Sequence, residues 1–429
     1  MRVAHCTAWF VTETFGGTEI YVASLARELS KAGVEQAILV PRSKTGLPDE
    51  SEHEGLKVVQ YDPADFEGAL AKFGPDLLHL HTWSSTAGMR EFRAARGKRI
   101  PVVFTFHNFS PVCATDTLMR NGSRPCDGVI RKFTCSSCYL HNRGHTRLEA
   151  VVLALASALL SPFFQAPDSS QRWRTLASMF AGFSNRRKEL VELSREAAAL
   201  VVPADFLRDV LIRNGVAPEK IVVSRQGVAR SDSRPAPAKA HEDLRVGFVG
   251  RLEYLKGADI IAQAVWRLEP QQRVTLEIIG PDGGVVGTRR GPEAFLQLIR
   301  AFAAVDDRIR ILGRLPYREL QERMASFDLL AVPSRWQETG PMTAMEAIAL
   351  GVPVLGSNLG GIPETVKDGV NGRIVDSLNP AAWAAELEKI LKDRPTLELW
   401  KRECRPARTM ADVAREMAEL YRRCLAKAA

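Results

Sequence analysis

The two residues best suited to chemistry are Glu338 and Glu346, which seven residues separate in the second half of the chain. Pro341 fits the first position of a helix, and the amides of Met342 and Thr343 are then expected to be free to bind an anion. Glu346 lies one and a half turns further on among apolar residues, which predicts a buried carboxylate that needs a hydrogen-bonding partner. Glu338 precedes the helix in a loop and is free to meet the same ligand. The segment therefore predicts a site for a molecule with an anionic group and vicinal hydroxyls.

A second group is cationic: Arg251 and Lys256 follow the apolar run Leu244–Val249. An arginine and a lysine at the end of a strand suit a diphosphate, since arginine binds it bidentately and lysine acts as a point charge. The alternative is a pair of solvated charges in a turn. No Asp-x-Asp occurs in the chain, so we expect no divalent metal at the diphosphate.

Apolar runs and helical patterns alternate in both halves, which predicts two α/β domains with parallel sheets. We expect a first domain at 1–235, with an insert at about 113–145 and a C-terminal helix at about 408–429 packed on it, and a second domain at 241–405. The Pro/Ala-rich stretch Arg230–His241 is the predicted linker. Strands are predicted at Arg2–Ala8, Gln36–Val40, Leu77–Leu80, Val102–Phe106, Leu244–Val249, Thr275–Ile279, Ile309–Leu312, Leu329–Val332 and Val352–Leu355.

The order of motifs in the second half resembles the sugar-donor domain of glycosyltransferase family 4. The matching segments are Gly250–Gly257, Leu312–Leu320, Leu329–Glu338, Pro341–Val354 and Gly360–Val375. The resemblance implies a GT-B architecture, in which two Rossmann-like doubly wound domains face a cleft.

That resemblance also implies roles for single residues. Arg251 and Lys256 would hold the diphosphate of a nucleotide sugar, Glu346 the ribose hydroxyls, and Glu338 the transferred sugar. The backbone at Arg314 and Leu315 would frame the base.

In the first half, Gly16-Gly17 matches the family's glycine pair, whose amide closes over the phosphates of the nucleotide sugar. His107 follows a predicted strand and is the candidate residue at the catalytic centre, where the family also has a histidine. A histidine held for structural reasons is the alternative. His79 and His81 are expected to line the wall of the cleft.

Four of the seven cysteines, Cys113, Cys126, Cys135 and Cys138, cluster after His107. Their spacing, closed by C-x2-C, suits a structural zinc in a reducing compartment. His141 and His145 offer a Cys/His alternative.

The net charge of +8 lies almost entirely in residues 1–240, which hold 31 Lys+Arg and 24 Asp+Glu. The predicted helix Leu148–Phe164 is apolar but too short to cross a bilayer. With basic residues around it, the helix fits either peripheral docking on an anionic membrane or the core of the acceptor domain. No signal peptide and no nucleic-acid-binding signature is present, which predicts a cytoplasmic protein, membrane-associated at most, that binds no nucleic acid.

Together with these observations, the resemblance to glycosyltransferase family 4 implies a retaining, metal-independent transferase that moves a sugar from a UDP- or GDP-sugar to a hydroxyl of a glycan or lipid-linked acceptor, in cell-surface polysaccharide or glycolipid synthesis. Two alternatives remain open at this stage. One is a nucleotide-sugar epimerase or phosphorylase on the same fold, and the other is a non-catalytic subunit that senses a sugar nucleotide.

Overall fold

A computed structural model describes residues 1–8, 10, 16–42, 48–84, 87–160, 172–228, 242–282, 292–405 and 408–428, with the main chain alone at 172–178 and 292. The predicted linker Arg230–His241 lies outside these residues. In chain order the strands are β1 (Arg2–Cys6), β2 (Glu35–Pro41), β3 (Glu50–His53), β4 (Leu56–Tyr61), β5 (Leu77–Leu80), β6 (Val102–Thr105), β7 (Met119–Arg120), β8 (Arg124–Pro125), β9 (Ala199–Val202), β10 (Ile221–Val223), β11 (Leu244–Val249), β12 (Val274–Ile279), β13 (Ile309–Gly313), β14 (Leu329–Val332), β15 (Val354–Ser357) and β16 (Gly372–Val375).

The helices are α1 (Gly17–Lys31), α2 (Phe66–Phe73), α3 (Met89–Gly97), α4 (Lys132–Asn142), α5 (Arg147–Leu160), α6 (Arg172–Glu196), α7 (Asp205–Arg213), α8 (Ala258–Arg267), α9 (Pro292–Val305), α10 (Tyr317–Ala325), α11 (Met342–Ala349), α12 (Ile362–Thr365), α13 (Pro380–Lys392), α14 (Arg394–Glu403) and α15 (Met410–Ala428). None of the described helices is long and apolar enough to pass through a bilayer.

The first sheet has the order β10-β9-β6-β5-β1-β2-β4-β3, and all its strand pairs are parallel except β3 with β4. Its central strands are apolar on both faces because helices cover both. Val3, Leu77 and Val103 pack in one cluster with α1 and α15, and Ala4 and Leu78 pack in the cluster on the other face. The order of strands reverses between β1 and β5, which is where an open α/β sheet binds its ligand.

The second sheet is wholly parallel, with the order β13-β12-β11-β14-β15-β16. Its order reverses between β11 and β14, and the predicted diphosphate and glutamate segments follow these two strands directly. The predicted strands Leu244–Val249 and Leu329–Val332 have the observed bounds. The strand predicted at Val352–Leu355 begins two residues later, at Val354.

The chain divides into two compact units. The first unit comprises Met1–Leu118, Cys126–Ala229 and Arg408–Ala429, and the second comprises Met119–Pro125 and Arg230–Ala407. The hairpin Met119–Pro125 thus departs from the sequence prediction, which placed the whole insert in the first domain. Its two-residue strands bury no core of their own, so its sequence carries no signal of the unit to which it belongs.

Candidate active site

The start of α11 differs from the prediction in one detail. Pro341 caps the helix from outside, with φ −75° and ψ 78°, and the helix begins at Met342. In this inverse γ-turn the Met342 amide donates a hydrogen bond to the Gly340 carbonyl at 2.9 Å. The expectation of a free Met342 amide is therefore wrong, while the Thr343 amide makes no hydrogen bond within the described residues. One amide remains for an anion at this helix start.

Glu346 lies on α11 with its side chain half-buried. Within the described part of the chain its carboxylate has no hydrogen bond and no ion pair. Burial raises the pKa of this carboxyl to about 7, because the charged form loses hydration and gains no partner in return. The Glu346 carboxylate also contributes, after burial, to the raised pKa of the Tyr317 hydroxyl at the start of α10. A half-buried carboxylate in this state is suited to accept hydrogen bonds from ligand hydroxyls.

Glu338 is not the free loop residue that the sequence suggested. It is buried, and its Oε1 accepts three hydrogen bonds, from Lys256 Nζ at 2.8 Å, Ser334 Oγ at 2.7 Å and Trp336 Nε1 at 2.8 Å. The Lys256 ammonium also lies 5.2 Å from the centre of the Trp336 ring, which adds a cation–π contact. The carboxylate is thus fixed in position before any ligand binds.

The two predicted phosphate-binding cations each have a carboxylate partner. Lys256 pairs with Glu338, and Arg251 lies 3.0 Å from Glu253, whose side chain is buried. Burial raises the pKa of Glu253, and its Oε2 has no hydrogen-bond partner among the described atoms. Each cation therefore faces a carboxylate. A diphosphate would have to compete with Glu253 for Arg251 and with Glu338 for Lys256.

A partly buried ion pair holds the loop after β14 against the loop after β11. The two terminal nitrogens of the Arg335 guanidinium each lie 2.6 Å from an oxygen of the Asp259 carboxylate on α8, and the guanidinium lies 4.2 Å from the centre of the Tyr254 ring. The Arg335 amide also donates to the Leu255 carbonyl at 2.7 Å. This bidentate clamp fixes the relative position of Lys256 and Glu338.

Gly360 permits a third loop to approach Glu338. The Gly361 amide donates to the Glu338 carbonyl at 2.7 Å. A Cβ on Gly360, whose φ is +61°, would lie 2.5 Å from the backbone nitrogen and oxygen of Glu338. Only glycine fits there without displacing the backbone.

Arg314 and Leu315 follow β13, three positions from β14 in the sheet. Arg314 is exposed, and Leu315 packs partly buried against the cluster that contains Met324 and Ile348. Their backbone lies at the same carboxyl edge of the sheet as the other predicted contacts.

In the first unit, the predicted role of Gly16 meets a competing contact. The Gly16 amide donates to the Glu19 carboxylate at 2.9 Å, and that carboxylate stands at the start of α1. Burial raises the pKa of Glu19. Gly17 is the first residue of the helix, and a Cβ added there would meet nothing within 4 Å. Among the described residues the Gly17 amide makes no hydrogen bond, so the predicted phosphate contact fits Gly17 better than Gly16.

His107 follows β6, and its ring lies 4.7 Å from the ring of Tyr21 on α1. Its Nε2 is 3.0 Å from Nδ1 of His81. Burial lowers the pKa of His107 to about 3, so the imidazole is neutral near pH 7. His79 and His81 are fully buried, which corrects the prediction that they line the wall of a cleft.

The four clustered cysteines lie near one another in the first sheet's insert. Burial, followed by the neighbouring thiols of Cys126, Cys113 and Cys138, raises the pKa of Cys135 to about 11. Within the described residues, the group of side chains close enough to share a metal ion is made of histidines and does not include these cysteines. A structural zinc at Cys113, Cys126, Cys135 and Cys138 stays a sequence prediction.

Two family models together span the chain from residue 15 to 405. The model described as Glycosyltransferase Family 4 matches residues 15–231, and the one described as Glycosyl transferases group 1 matches 229–405. The chain belongs to glycosyltransferase family 4. A D-inositol 3-phosphate glycosyltransferase of Thermobispora bispora is 26% identical over 413 residues, with 88% of this chain and 82% of the relative covered.

Solved structures show the same fold at low identity. The sucrose-phosphate synthase of Thermosynechococcus elongatus matches with a TM-score of 0.66 at 17% identity, with 99% of both chains covered. Anabaena HepE in complex with UDP-glucose matches with a TM-score of 0.65 at 16% identity, over 99% of this chain and 100% of that one. These structures show the GT-B fold, and the two family models show that the chain is a glycosyltransferase.

Sequence reasoning missed the residues that hold the site together, namely Glu253, Asp259, Ser334, Trp336 and Arg335. Glu253 lies inside the Gly250–Gly257 motif, and Ser334, Arg335 and Trp336 lie inside Leu329–Glu338, so all four could have been noticed as polar residues in matched segments. The pairing of Arg335 with Asp259 links residues 76 apart in sequence and carries no local signal.

Proposed function

We propose that this family 4 enzyme transfers a sugar from a UDP- or GDP-sugar to a hydroxyl of a glycan or lipid-linked acceptor, with retention of configuration and without a divalent metal. The observation that carries the proposal is Glu346, a half-buried carboxylate without a protein partner at the ligand-binding edge of the second sheet. A ribose offers the vicinal hydroxyls that such a group accepts. The complexes of Anabaena HepE with UDP and with UDP-glucose support a nucleotide sugar as the ligand.

In this proposal, fixed charges stabilise the departing nucleoside diphosphate. Arg251 and Lys256 turn from their carboxylate partners toward the phosphates, and the Thr343 amide and the dipole of α11 add to the positive potential. The acceptor hydroxyl attacks on the face from which the diphosphate leaves, so no covalent nucleophile is required. Glu338 and His107 position the sugar as positive charge develops on it.

A cavity of about 670 Å³ in the first unit is the proposed acceptor site. Its walls come from the residues after β5 and β6, the start of α3, α4 and α6. Of the arginines on these walls, Arg90 pairs with Glu91, and Arg93 with Glu192. Arg186 has no hydrogen bond or ion pair among the described residues, and burial lowers its pKa.

A guanidinium of this kind favours an acceptor with an anionic group near the reacting hydroxyl. The relatives named D-inositol 3-phosphate glycosyltransferases carry such an acceptor in their name, which supports the same preference here. We expect Arg186→Gln to raise the KM for an anionic acceptor about tenfold or more with little effect on hydrolysis of the nucleotide sugar. Arg187→Gln, which changes the exposed neighbouring arginine, is the matched control.

Helix α5 supports a peripheral contact with an anionic membrane. Its small residues Ala150, Ala154 and Ser157 face inward, whereas its large apolar residues face solvent, with Leu148 75% and Leu159 76% exposed. An apolar helical face with arginines beside it suits the interface of an anionic bilayer. The alternative of a core helix is thereby disfavoured.

Vesicle sedimentation tests this surface. Leu155→Ser with Leu159→Ser should reduce binding to phosphatidylglycerol vesicles and leave the weak binding to phosphatidylcholine unchanged. Leu399→Ser removes a comparably exposed leucine from the second unit and should have no effect. The membrane surface would be ruled out if Leu399→Ser reduced vesicle binding as much as the double change on α5 does. Self-association through α5 in place of vesicle binding would also rule it out.

A panel of nucleotide sugars, scored by hydrolysis with and without membrane extract and inositol phosphate, tests the reaction itself. Glu346→Ala and Arg251→Ala should each lower turnover of the best substrate at least a hundredfold. Glu322→Ala and Arg318→Ala change exposed residues on α10 and should leave it unaltered. Binding without turnover on any acceptor would favour a sensing subunit, and a product isomer of unchanged mass would indicate an epimerase.

A further inference from the structure

Three histidines and a glutamine form a chain of hydrogen bonds beneath the carboxyl edge of the first sheet. Gln36 Oε1 lies 2.8 Å from His5 Nε2, His5 Nδ1 lies 3.0 Å from His81 Nε2, and His81 Nδ1 lies 3.0 Å from His107 Nε2. Gln36 is on β2, His5 on β1, and the last two histidines follow β5 and β6. This chain of hydrogen bonds ends at His107, the residue proposed for the catalytic centre.

Gln36 sets the direction of the first hydrogen bond. Its Nε2 lies 2.6 Å from the Ala26 carbonyl and 2.9 Å from Ser30 Oγ. A carbonyl only accepts, so the amide nitrogen must face Ala26, and the amide oxygen must face His5. Nε2 of His5 therefore carries the proton.

The donor–acceptor direction of the first hydrogen bond fixes the direction of the next two, because each imidazole ring is neutral. Burial lowers the pKa of His5 to about 4 and of His107 to about 3, and it lowers the pKa of His81 well below its usual value. A neutral imidazole has one donor and one acceptor nitrogen. With its proton on Nε2, His5 accepts at Nδ1 from His81, and His81 in the same way accepts from His107.

A metal site is the competing interpretation of this cluster. One ring nitrogen each of His5, His79 and His81 lie within 4.8 Å of one another. The nitrogens of His79 are 2.6 Å from Tyr421 Oη and from Thr105 Oγ1. All six nitrogens of the three rings thus have hydrogen-bond partners in the described structure, and a metal would have to displace several of them.

We propose that Gln36, His5 and His81 form a tautomer lock, which holds His107 as a neutral imidazole with its proton on Nε2 and its lone pair on Nδ1. Nδ1 of His107 is buried, so the lock acts by fixing the orientation and the neutral charge of this ring, and the other three are positioning residues. This inference rests on the proposed function for the place of His107 in the reaction.

The hydrogen-bonded row acts as a lock and not as a proton relay, because it ends at the side-chain amide of Gln36. A relay would need a group that takes up the proton released by His5. The amide oxygen of Gln36 is too weakly basic to do so, and a proton that entered at His107 would leave a cation among buried apolar residues. The fixed tautomer matters in the same way as in other enzymes that orient a histidine through its second nitrogen.

The nitrogen-15 spectrum of the histidine rings tests the lock without any substrate. In the full-length chain labelled at histidine, His5, His81 and His107 should each show a protonated Nε2 and an unprotonated Nδ1. Single His→Gln variants assign the signals. A proton on Nδ1 of His107, or stoichiometric metal whose removal changes these signals, would overturn the proposal.

Substitution of Gln36 separates positioning from folding. Gln36→Met should give His107 a mixture of tautomers and lower kcat/KM about tenfold, the factor that corresponds to ~1.4 kcal/mol. Gln36→Glu keeps an oxygen acceptor toward His5 and should preserve the Nε2–H tautomer, although its second oxygen faces the Ala26 carbonyl and lowers stability. Gln60→Met is the matched control. It removes a buried glutamine on β4 that donates a hydrogen bond to the Pro48 carbonyl, and it should change neither the tautomers nor kcat/KM.

The outcomes distinguish the two proposals. If wild-type protein turns over no nucleotide sugar while the spectrum shows the expected tautomers, the proposed function fails and the lock stands. If Gln36→Met is folded and leaves both the tautomers and kcat/KM unchanged, the lock is disproved and the proposed function stands. If Gln36→Met does not fold, the wild-type spectrum and the spectrum of Gln36→Glu still show whether His107 is held as the Nε2–H tautomer.

Discussion

The Lys256 ammonium lies 2.8 Å from Oε1 of Glu338, so two residues that the sequence assigns to different parts of a nucleotide sugar are partners of each other. Both side chains are largely removed from solvent, at 25% and 8% exposure. A ligand that engages either residue must therefore alter the other. If the two residues have the proposed roles, phosphate binding and sugar binding should be coupled through this contact.

The ion pair should appear as non-additivity in a double-mutant cycle of Lys256→Met and Glu338→Gln. Each single change strands the other charge, and we expect a loss of about 2 kcal/mol in the free energy of unfolding, below the range for fully buried pairs. The double variant should be less destabilised than the sum by about 1 kcal/mol. Urea denaturation measures all four proteins, and strict additivity would show that the contact does not couple them.

Glu346 should make binding of the nucleotide sugar depend on pH. Its pKa is raised to about 7 from an ordinary 4.5, and only the ionised carboxylate accepts from both ribose hydroxyls. Affinity for UDP or GDP should therefore rise as pH increases from about 6 to 8. Calorimetric titration measures this, and Glu346→Gln should bind more weakly and lose the slope.

The same group gives a stability change of opposite sign. Between about 4.5 and 7 the folded state binds more protons at Glu346 than the unfolded state, so its contribution to stability falls as pH rises through this window. Glu346→Gln should remove that contribution. Persistence of both pH dependences in the variant would assign them to another group.

Much of the fold was predictable because its strands are buried on both faces. Largely apolar runs such as Leu77–Leu80 and Leu329–Val332 gave the observed bounds, and the order of motifs placed the predicted site residues after the strands of the second sheet. The partners of the site residues were not predictable. Lys256 and Glu338 are 82 residues apart, and their contact depends on how the loops after β11 and β14 pack.

One local error and one open alternative have local causes. Pro341 was placed one residue too far into α11, and that shift is what consumes the Met342 amide in a γ-turn. For α5, the apolar composition indicated burial or a membrane equally well. The spacing of Ala150, Ala154 and Ser157 was the signal that small residues face inward and large ones outward.

Gly360→Ala should damage the site more than its backbone conformation alone explains. Gly369 has a similar positive φ, +73°, but a Cβ there meets nothing within 4 Å. Gly369→Ala should cost about 1 kcal/mol from the left-handed conformation. Gly360→Ala should cost more and also weaken nucleotide-sugar binding, because the added carbon pushes against the Glu338 backbone. Thermal denaturation and calorimetric titration compare the two, and equal effects would mean that the close approach is unimportant.

Arg335→Lys tests whether the clamp on Asp259 positions the site from outside it. Lysine retains the charge but loses the second hydrogen bond and the planar stack on Tyr254, so we expect a loss of about 1–3 kcal/mol in stability. Because the loop that carries Glu338 is then less fixed, affinity for the nucleotide sugar should fall although Arg335 makes no proposed contact with it. Arg318→Lys alters an arginine whose side chain is 94% exposed and should change stability by less than about 0.5 kcal/mol. A destabilised Arg335→Lys variant that binds the nucleotide sugar as tightly as wild type would show that the clamp serves the fold alone.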